Sequence, residues 1–432
     1  MKRFVTQVCE GSGFDLEAVE FGLRAAVLLA GAALLEQLLK ERFGSAAALG
    51  AAKCACGERM RSAGIRPKRL RTILGEIVFE RPCFVCPACG ARRYPADEQL
   101  GVEKTGFSPG LCRLMARAGQ RDTFKEGRDD LREFAEITVT AKDVERVAED
   151  VGEAVEAWQE RERLQEPEGA GSLEETPTLY ICYDGTGVPM VPWETKGRKG
   201  KQPDGSSRTR EAKLGCVFTQ TTVNEDGYPV RDEESTSFVG AIESSEPFGE
   251  RIYAEALRRG LERAQRAVIV ADGAKYNWEI AALHFPQAIQ VVDLYHAREH
   301  LGLMCSLLIP TGGKEKERMR KRWENLLDQG KLHKILSEAQ ARTPRSGRRR
   351  KELKKEIGYF HNNAHRMRYG AFRRQNLFVG SGVIEAGCKS VIGKRLKQSG
   401  MQWSVRGANA IIALRCCHLS GRMEEFWEHK AA

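Results

Sequence analysis

Leu and Ala recur at helical spacing from residue 15 to 43, and the stretch GSAAALGAA then interrupts the pattern ahead of the first cysteines. One helical segment is therefore expected within residues 1–50. In RTILGEIVFERPCFVC the apolar and polar positions alternate around Gly75, which predicts a short β-hairpin inside a module at 51–107. From Ser108 to Arg163 the pattern is helical throughout. Thr140 stands as an N-cap before a Val144/Val147/Val151 face, so 108–163 reads as helix, turn, helix. The polar stretch LQEPEGAGSLEETP has little to bury, and it predicts a linker at 164–177.

Beyond the linker, strand-like runs at Thr178–Tyr183, Ala212–Thr222, Ala267–Ala271 and Ala288–Val292 alternate with helical segments near Phe248–Ala264, Tyr276–Leu283 and His296–Leu308. Residues 178–432 are thus expected to form an α/β domain. A helical insertion is expected at about 310–378, where RTPRSGRRRKELKK reads as a surface loop leading into a helix. No repeat of solenoid type is visible.

Charge sharpens this division. The formal net charge is +10 over 432 residues, but 314–406 alone carries 25 Lys/Arg against 8 Asp/Glu, leaving −7 for the remainder. A polyanionic partner for that basic region follows. The longest apolar run, AAVLLAGAALL, has 11 residues where a membrane span needs about 20, so it is expected to be a core helix. No basic-then-apolar leader opens the chain, and a cytoplasmic location is expected. The thirteen cysteines then read as reduced thiols or metal ligands.

Two apolar runs end alike, LYICYDGT at Asp184 and AVIVADGA at Asp272. Asp-Gly is also a common turn dipeptide, but two matched sites in one domain suggest carboxylates aimed by strand ends. Paired divalent cations about 3.5–4 Å apart, held by carboxylates, suit phosphodiester chemistry. The third acid such a site needs is Glu385, the only acid between Glu356 and Glu424, behind Gly380-Ser381-Gly382.

The motifs YDGTGVPM, TREAKLG, VADGAKYNW, VVDLYHAREHL and GSGVIEAGCKSVIGKRLKQSGMQWSVRGANAIIALR, in this order and spacing, closely resemble the DDE transposases of bacterial insertion sequences of the ISKra type. The resemblance covers roughly Cys54 to Arg415. It implies an RNase H-like catalytic core with an acid on the first strand, one after the fourth and a glutamate on a late helix, here Asp184, Asp272 and Glu385 holding two Mg²⁺ or Mn²⁺ ions. The implied activity is cleavage of DNA at terminal inverted repeats and strand transfer into target DNA, by a homodimer or larger synaptic assembly, with no membrane partner. The 113 positions separating Asp272 from Glu385 match a helical insertion before the glutamate. Asp293 and His296 resemble the Asp-x-x-His feature of transposases with such an insertion, in a supporting role.

Two rival readings use the same residues. HAREH fits the inverted zinc-peptidase pattern, with His296, Glu299 and His300 on one helical face, but leaves Asp184, Asp272 and the basic region without a role. A domesticated, catalytically silent DNA-binding protein would keep the fold alone.

Cys54 and Cys56, with Cys86 and Cys89, resemble the two knuckles of a zinc ribbon holding structural Zn²⁺, and Cys83 could replace one ligand. DNA contacts are expected from the loop carrying Arg198, Lys199, Lys201, Arg208 and Arg210, and from Lys389, Lys394, Arg395 and Lys397 after Glu385. Trp403 either stacks on a base or packs the last helix. The helical region 108–163 serves end recognition or, given its acidic composition over 126–162, dimerisation.

Overall fold

The structure, a computed structural model, describes residues 15–44, 53–164, 176–200 and 202–431. Most of the expected linker and Lys201 lie outside the described residues. Two compact units divide the chain, Met1–Val151 and Gly152–Lys430.

In the first unit, helix α1 (Leu16–Phe43) is capped by Asp15, whose side chain accepts from the Ala18 N–H. Strands β1 (Arg61–Thr72), β2 (Gly75–Val85) and β3 (Arg92–Arg93) form an antiparallel sheet in that order. The hairpin turn is tight because Thr72 pairs with Gly75 and the Thr72 hydroxyl donates to the Gly75 carbonyl at 2.8 Å. Ala32 of α1 joins Leu70, Ile77, Phe79 and Val102 in the core, with Leu35 and Leu39 packed around it.

This overturns the expectation of a core helix. The hairpin offers α1 one surface only, so just Ala32 and Phe43 are buried, whereas Val27, Leu29, Leu34 and Leu38 remain exposed. By length and composition α1 could also cross a membrane.

Behind the sheet come α2 (Pro95–Gln99), α3 (Pro109–Arg121), α4 (Phe124–Ala135) and α5 (Ala141–Leu164). Thr140 does cap α5: the Asp143 N–H donates to Thr140 Oγ1 at 3.0 Å, and the Thr140 N–H donates back to Asp143 Oδ2 at 3.1 Å. Val144, Val147 and Val151 form its buried face. The boundary between the units falls within α5, not in the linker. Past that point α5 belongs to the second unit, where Glu156 pairs with buried Arg251 and Glu162 with buried Arg422.

The second unit is built on a five-stranded mixed sheet. Its strands are β4 (Thr176–Pro189), β5 (Thr209–Gln220), β8 (Ser237–Ala241), β9 (Ala264–Ala271) and β10 (Ile289–Val292), ordered β10-β9-β4-β5-β8. β4, β9 and β10 run parallel, whereas β5 is antiparallel to both β4 and β8. The short pair β6 (Thr222–Val223) and β7 (Pro229–Val230) stands apart. Central strands buried on both faces explain the unbroken apolar runs: Leu179, Tyr180, Ile181, Val268, Ile269 and Val270 are fully buried.

Helices α6 (Pro192–Thr195), α7 (Ser245–Arg258), α8 (Lys275–His284) and α9 (Leu294–Leu308) connect or follow these strands. The insertion comprises α10 (Gly313–Asp328), α11 (Leu332–Ala341), α12 (Arg348–Asn363) and α13 (Tyr369–Arg374), with Trp323, Leu327, Ile335, Leu353 and Phe360 fully buried. A late helix α14 runs as Gly382–Gly387, a π-helical turn Cys388–Gly393, and Lys394–Leu396. Two further helices, α15 (Val405–Leu419) and α16 (Met423–Ala431), complete the unit.

Candidate functional site

Asp184 lies inside β4, not at its end. β4 runs on to Pro189 paired with β5 alone, because its parallel pairing with β9 stops at Cys182 opposite Val270. Continuing that register by two residues sets Asp184 level with Asp272, which directly follows β9. Adjacent strands lie about 4.8 Å apart, and residues level across a parallel pair face the same side. The sheet therefore delivers both carboxylates to one place.

Glu385 reaches them from α14. Gly387 makes this approach possible, since a Cβ there would fall 2.7 Å from Phe238 Cε1 on β8 and 3.4 Å from Leu214 Cδ2 on β5. Ile384 and Gly387 are the buried side of that turn. Burial first, then the charges of Asp272 and Glu385, raise the pKa of Asp184, while the Gly185 N–H and His296 oppose the rise. The three acids and His296 thus share one electrostatic neighbourhood.

Each acid has a tethered oxygen. Asp184 Oδ1 accepts from the Gly185 N–H at 2.7 Å. Asp272 Oδ1 accepts from the Ala274 N–H at 2.9 Å and Asn277 Nδ2 at 2.5 Å, and Glu385 Oε1 accepts from Ser381 Oγ at 2.9 Å. Cys388 Sγ lies 3.9 Å from Asp184 Oδ2, and burial with that carboxylate pushes its thiol up to about 12. Asn277, Ser381 and Cys388 had no assigned role in the sequence, although all three fall inside the motifs.

Asp293 is fully buried and ties the site together. Its Oδ1 accepts from the His296 N–H at 2.7 Å, capping α9, and its Oδ2 accepts from the Ser381 N–H ahead of Glu385. Its own N–H donates to Ala271 at the end of β9. His296 is half-buried, 3.5 Å from Glu299, whereas His300 turns to Glu356 at 2.6 Å. HAREH therefore does not gather its two imidazoles on one metal.

Among the described residues, one group of three or more potential metal donors lies within 4.8 Å: Cys54, Cys56, Cys86 and Cys89. Asp184, Asp272 and Glu385 are spread more widely than that. The Cys54 and Cys89 sulfurs are 3.5 Å apart, as are those of Cys56 and Cys86. Four sulfurs at about 2.3 Å from zinc would stand roughly 3.8 Å from one another. Two turns present them, with the Gly57 N–H bonded to Cys54 and the Gly90 N–H to Cys86. The Cys89 N–H, followed by that of Ala88, helps pull the Cys86 thiol down to about 7. The donor set fits structural zinc in a ribbon-like module, and Cys83, buried beside Phe84, is outside it.

Of the basic residues, Arg198, Lys199, Arg208, Lys389, Lys394 and Lys397 are exposed. Arg210 is half-buried, 3.8 Å from Glu194, and Lys397 reaches the Thr186 hydroxyl on β4. Arg395 departs from expectation. Arg395 is fully buried with its guanidinium 4.9 Å from the centroid of Trp403, whose indole donates to Leu396 O at 3.1 Å. α14 turns Arg395 of KRLK inward, and Trp403 packs against it in the core, one of its two expected roles.

The fold and site together define a mixed α/β unit with three acids gathered where β4 loses β9 as a partner, and a unit bearing a four-cysteine cluster. No family model matches the chain, and no curated protein matches it. Among solved structures it is similar to the Drosophila P element transposase strand transfer complex, with 9% identity and a TM-score of 0.34 over 76% of this chain and 95% of that one.

Proposed function

We propose that the protein is an insertion-sequence DNA transposase of the DDE type, related to the ISKra group. It would bind terminal inverted repeats and carry out metal-dependent strand cleavage and strand transfer. The observation that carries this reading is the convergence of Asp184, Asp272 and Glu385. Counted along the second unit's sheet, one acid is on the first strand, one follows the fourth, and the glutamate is on a late helix behind a helical insertion. The strand order 5-4-1-2-3, with the first, fourth and fifth strands parallel, supports an RNase H-like core.

The three carboxylates fit divalent hard cations. Each has one oxygen oriented by a protein donor, and burial, then the charges of Asp272 and Glu385, raise the Asp184 pKa, a penalty of the kind a cation relieves. Mg²⁺ or Mn²⁺ held by Asp184, Asp272 and Glu385 would supply charge neutralisation at the attacking and leaving oxygens of a phosphodiester. The chain's own work is then orientation. Asn277 fixes Asp272, Ser381 fixes Glu385, and Asp293 fixes the segment bearing Ser381. Exposed Lys389, Lys394 and Lys397, with Arg198, Lys199 and Arg208, supply phosphate contacts. Zinc on the four cysteines would hold the β1–β2 module. Two ends must be engaged at once, so an assembly of at least two copies belongs to the proposal.

The test is nicking and joining of DNA carrying the element's own ends, with Mg²⁺ or Mn²⁺, comparing the native protein with Asp272→Ala. Metal-dependent products from the native protein alone are expected. Binding of the ends without nicking would favour the silent DNA-binding protein, and equal products from both proteins would remove the acids from the chemistry.

A further inference from the structure

The helical insertion brings a further side chain to the neighbourhood of Asp272. Tyr359 on α12 lies across Gly273, so closely that a Cβ there would fall 2.0 Å from Tyr359 Cε2 and 2.5 Å from its hydroxyl oxygen. Position 273 is glycine for that contact as much as for any turn. The ring also stacks on His300, with centroids 3.9 Å apart at 22°, and His300 is itself held by Glu356 at 2.6 Å. Asn363 Nδ2 donates to the Tyr359 carbonyl at 3.0 Å.

The hydroxyl is buried and has no hydrogen-bond partner. A desolvated donor of this kind is destabilising, and such a group in a well-packed place calls for a reason. Burial, then the charges of Asp272 and Asp293, raise its pKa, so the phenol stays a neutral donor. The tethers of Asp272 both fall on Oδ1.

We propose that Tyr359 is a positioning residue for the carboxylate site, its hydroxyl donating to the Asp272 carboxylate when that group ligates a divalent cation. Asp272 is then oriented from two directions, by Asn277 on α8 and by Tyr359 on the insertion. Cation binding and seating of α12 become linked. The inference rests on the reading that the acids hold Mg²⁺ or Mn²⁺.

The experiment compares full-length native protein, Tyr359→Phe and Asp184→Asn, each with zinc retained, by Mn²⁺ titration and by thermal unfolding without Mn²⁺. Tyr359→Phe is expected to weaken Mn²⁺ binding about 10–100-fold, the usual loss when a group orienting a metal ligand is removed. Its melting temperature without Mn²⁺ should be unchanged or higher, since phenylalanine removes an unpartnered donor. A lower melting temperature with unaltered Mn²⁺ binding would make Tyr359 a packing residue only and overturn the inference. If the native protein shows no Mn²⁺ binding that Asp184→Asn removes, the cation reading fails and this inference with it. If Asp184→Asn loses binding and Tyr359→Phe keeps it, the inference on Tyr359 falls alone.

Discussion

The cysteine cluster and the carboxylate site reach their arrangements by opposite routes. The four thiols are drawn together by two local turns on a module with a small core, their sulfurs in contact at 3.5 Å. The three acids stand further apart, on elements far separated in sequence and fixed by a sheet whose central residues are fully buried. In the first case an ion would supply much of the structure; in the second the sheet alone positions the side chains. Metal should therefore matter to folding at one site and to chemistry at the other.

Stripping zinc, or replacing Cys86 and Cys89 with serine, should break this contrast most visibly. Structural zinc sites contribute on the order of 10 kcal/mol to the folding of small modules. Hydrogen exchange should accelerate at Arg61, Phe84 and Val85 while β4 and β9 stay protected; uniform exchange behaviour in both units would contradict the account. Next in size, Asp272→Asn should cut strand cleavage by about a thousandfold or more with circular dichroism unchanged. Retained cleavage would dissolve the distinction between the two sites.

Asp293→Ala should lie between these extremes. It strips the acceptor from the His296 and Ser381 N–H groups, costing about 1–3 kcal/mol for each unmet buried donor. Both stability and cleavage should fall, measured by denaturant midpoint and by product yield. The smallest effect is expected from Asp184→Asn without divalent cation. The folded pKa of Asp184 is raised, so the native state holds its proton more tightly than the unfolded chain does, and stability falls as pH rises through that range. Asparagine should remove this slope and raise the melting temperature at neutral pH. A lower melting temperature would mean that the ionised carboxylate stabilises the fold.

What the sequence disclosed follows the same divide between local and assembled features. LYICYDGT and AVIVADGA announce buried strands that carry acids: Asp184 falls inside β4 where it loses β9 as a partner, and Asp272 directly follows β9. The Thr140 cap and the hairpin at Gly75 were legible because each is set by residues within a few positions. β8 was missed, since SFVGA is short and contains a glycine. Arg395 was taken as a DNA contact because a basic run does not reveal which of its members a helix turns inward. The helix α1 was expected to be core because composition reports apolarity without reporting a partner for every face. Tyr359 lies 87 positions from Asp272, with no local sign of where its ring rests.

The most direct measurement is anomalous scattering from crystals grown with zinc and soaked in Mn²⁺, with data at the edges of both metals. A zinc peak enclosed by Cys54, Cys56, Cys86 and Cys89 is expected, with manganese peaks between Asp184, Asp272 and Glu385 that vanish in Asp272→Ala. Manganese absent from the three acids, or undiminished in the variant, would contradict this expectation.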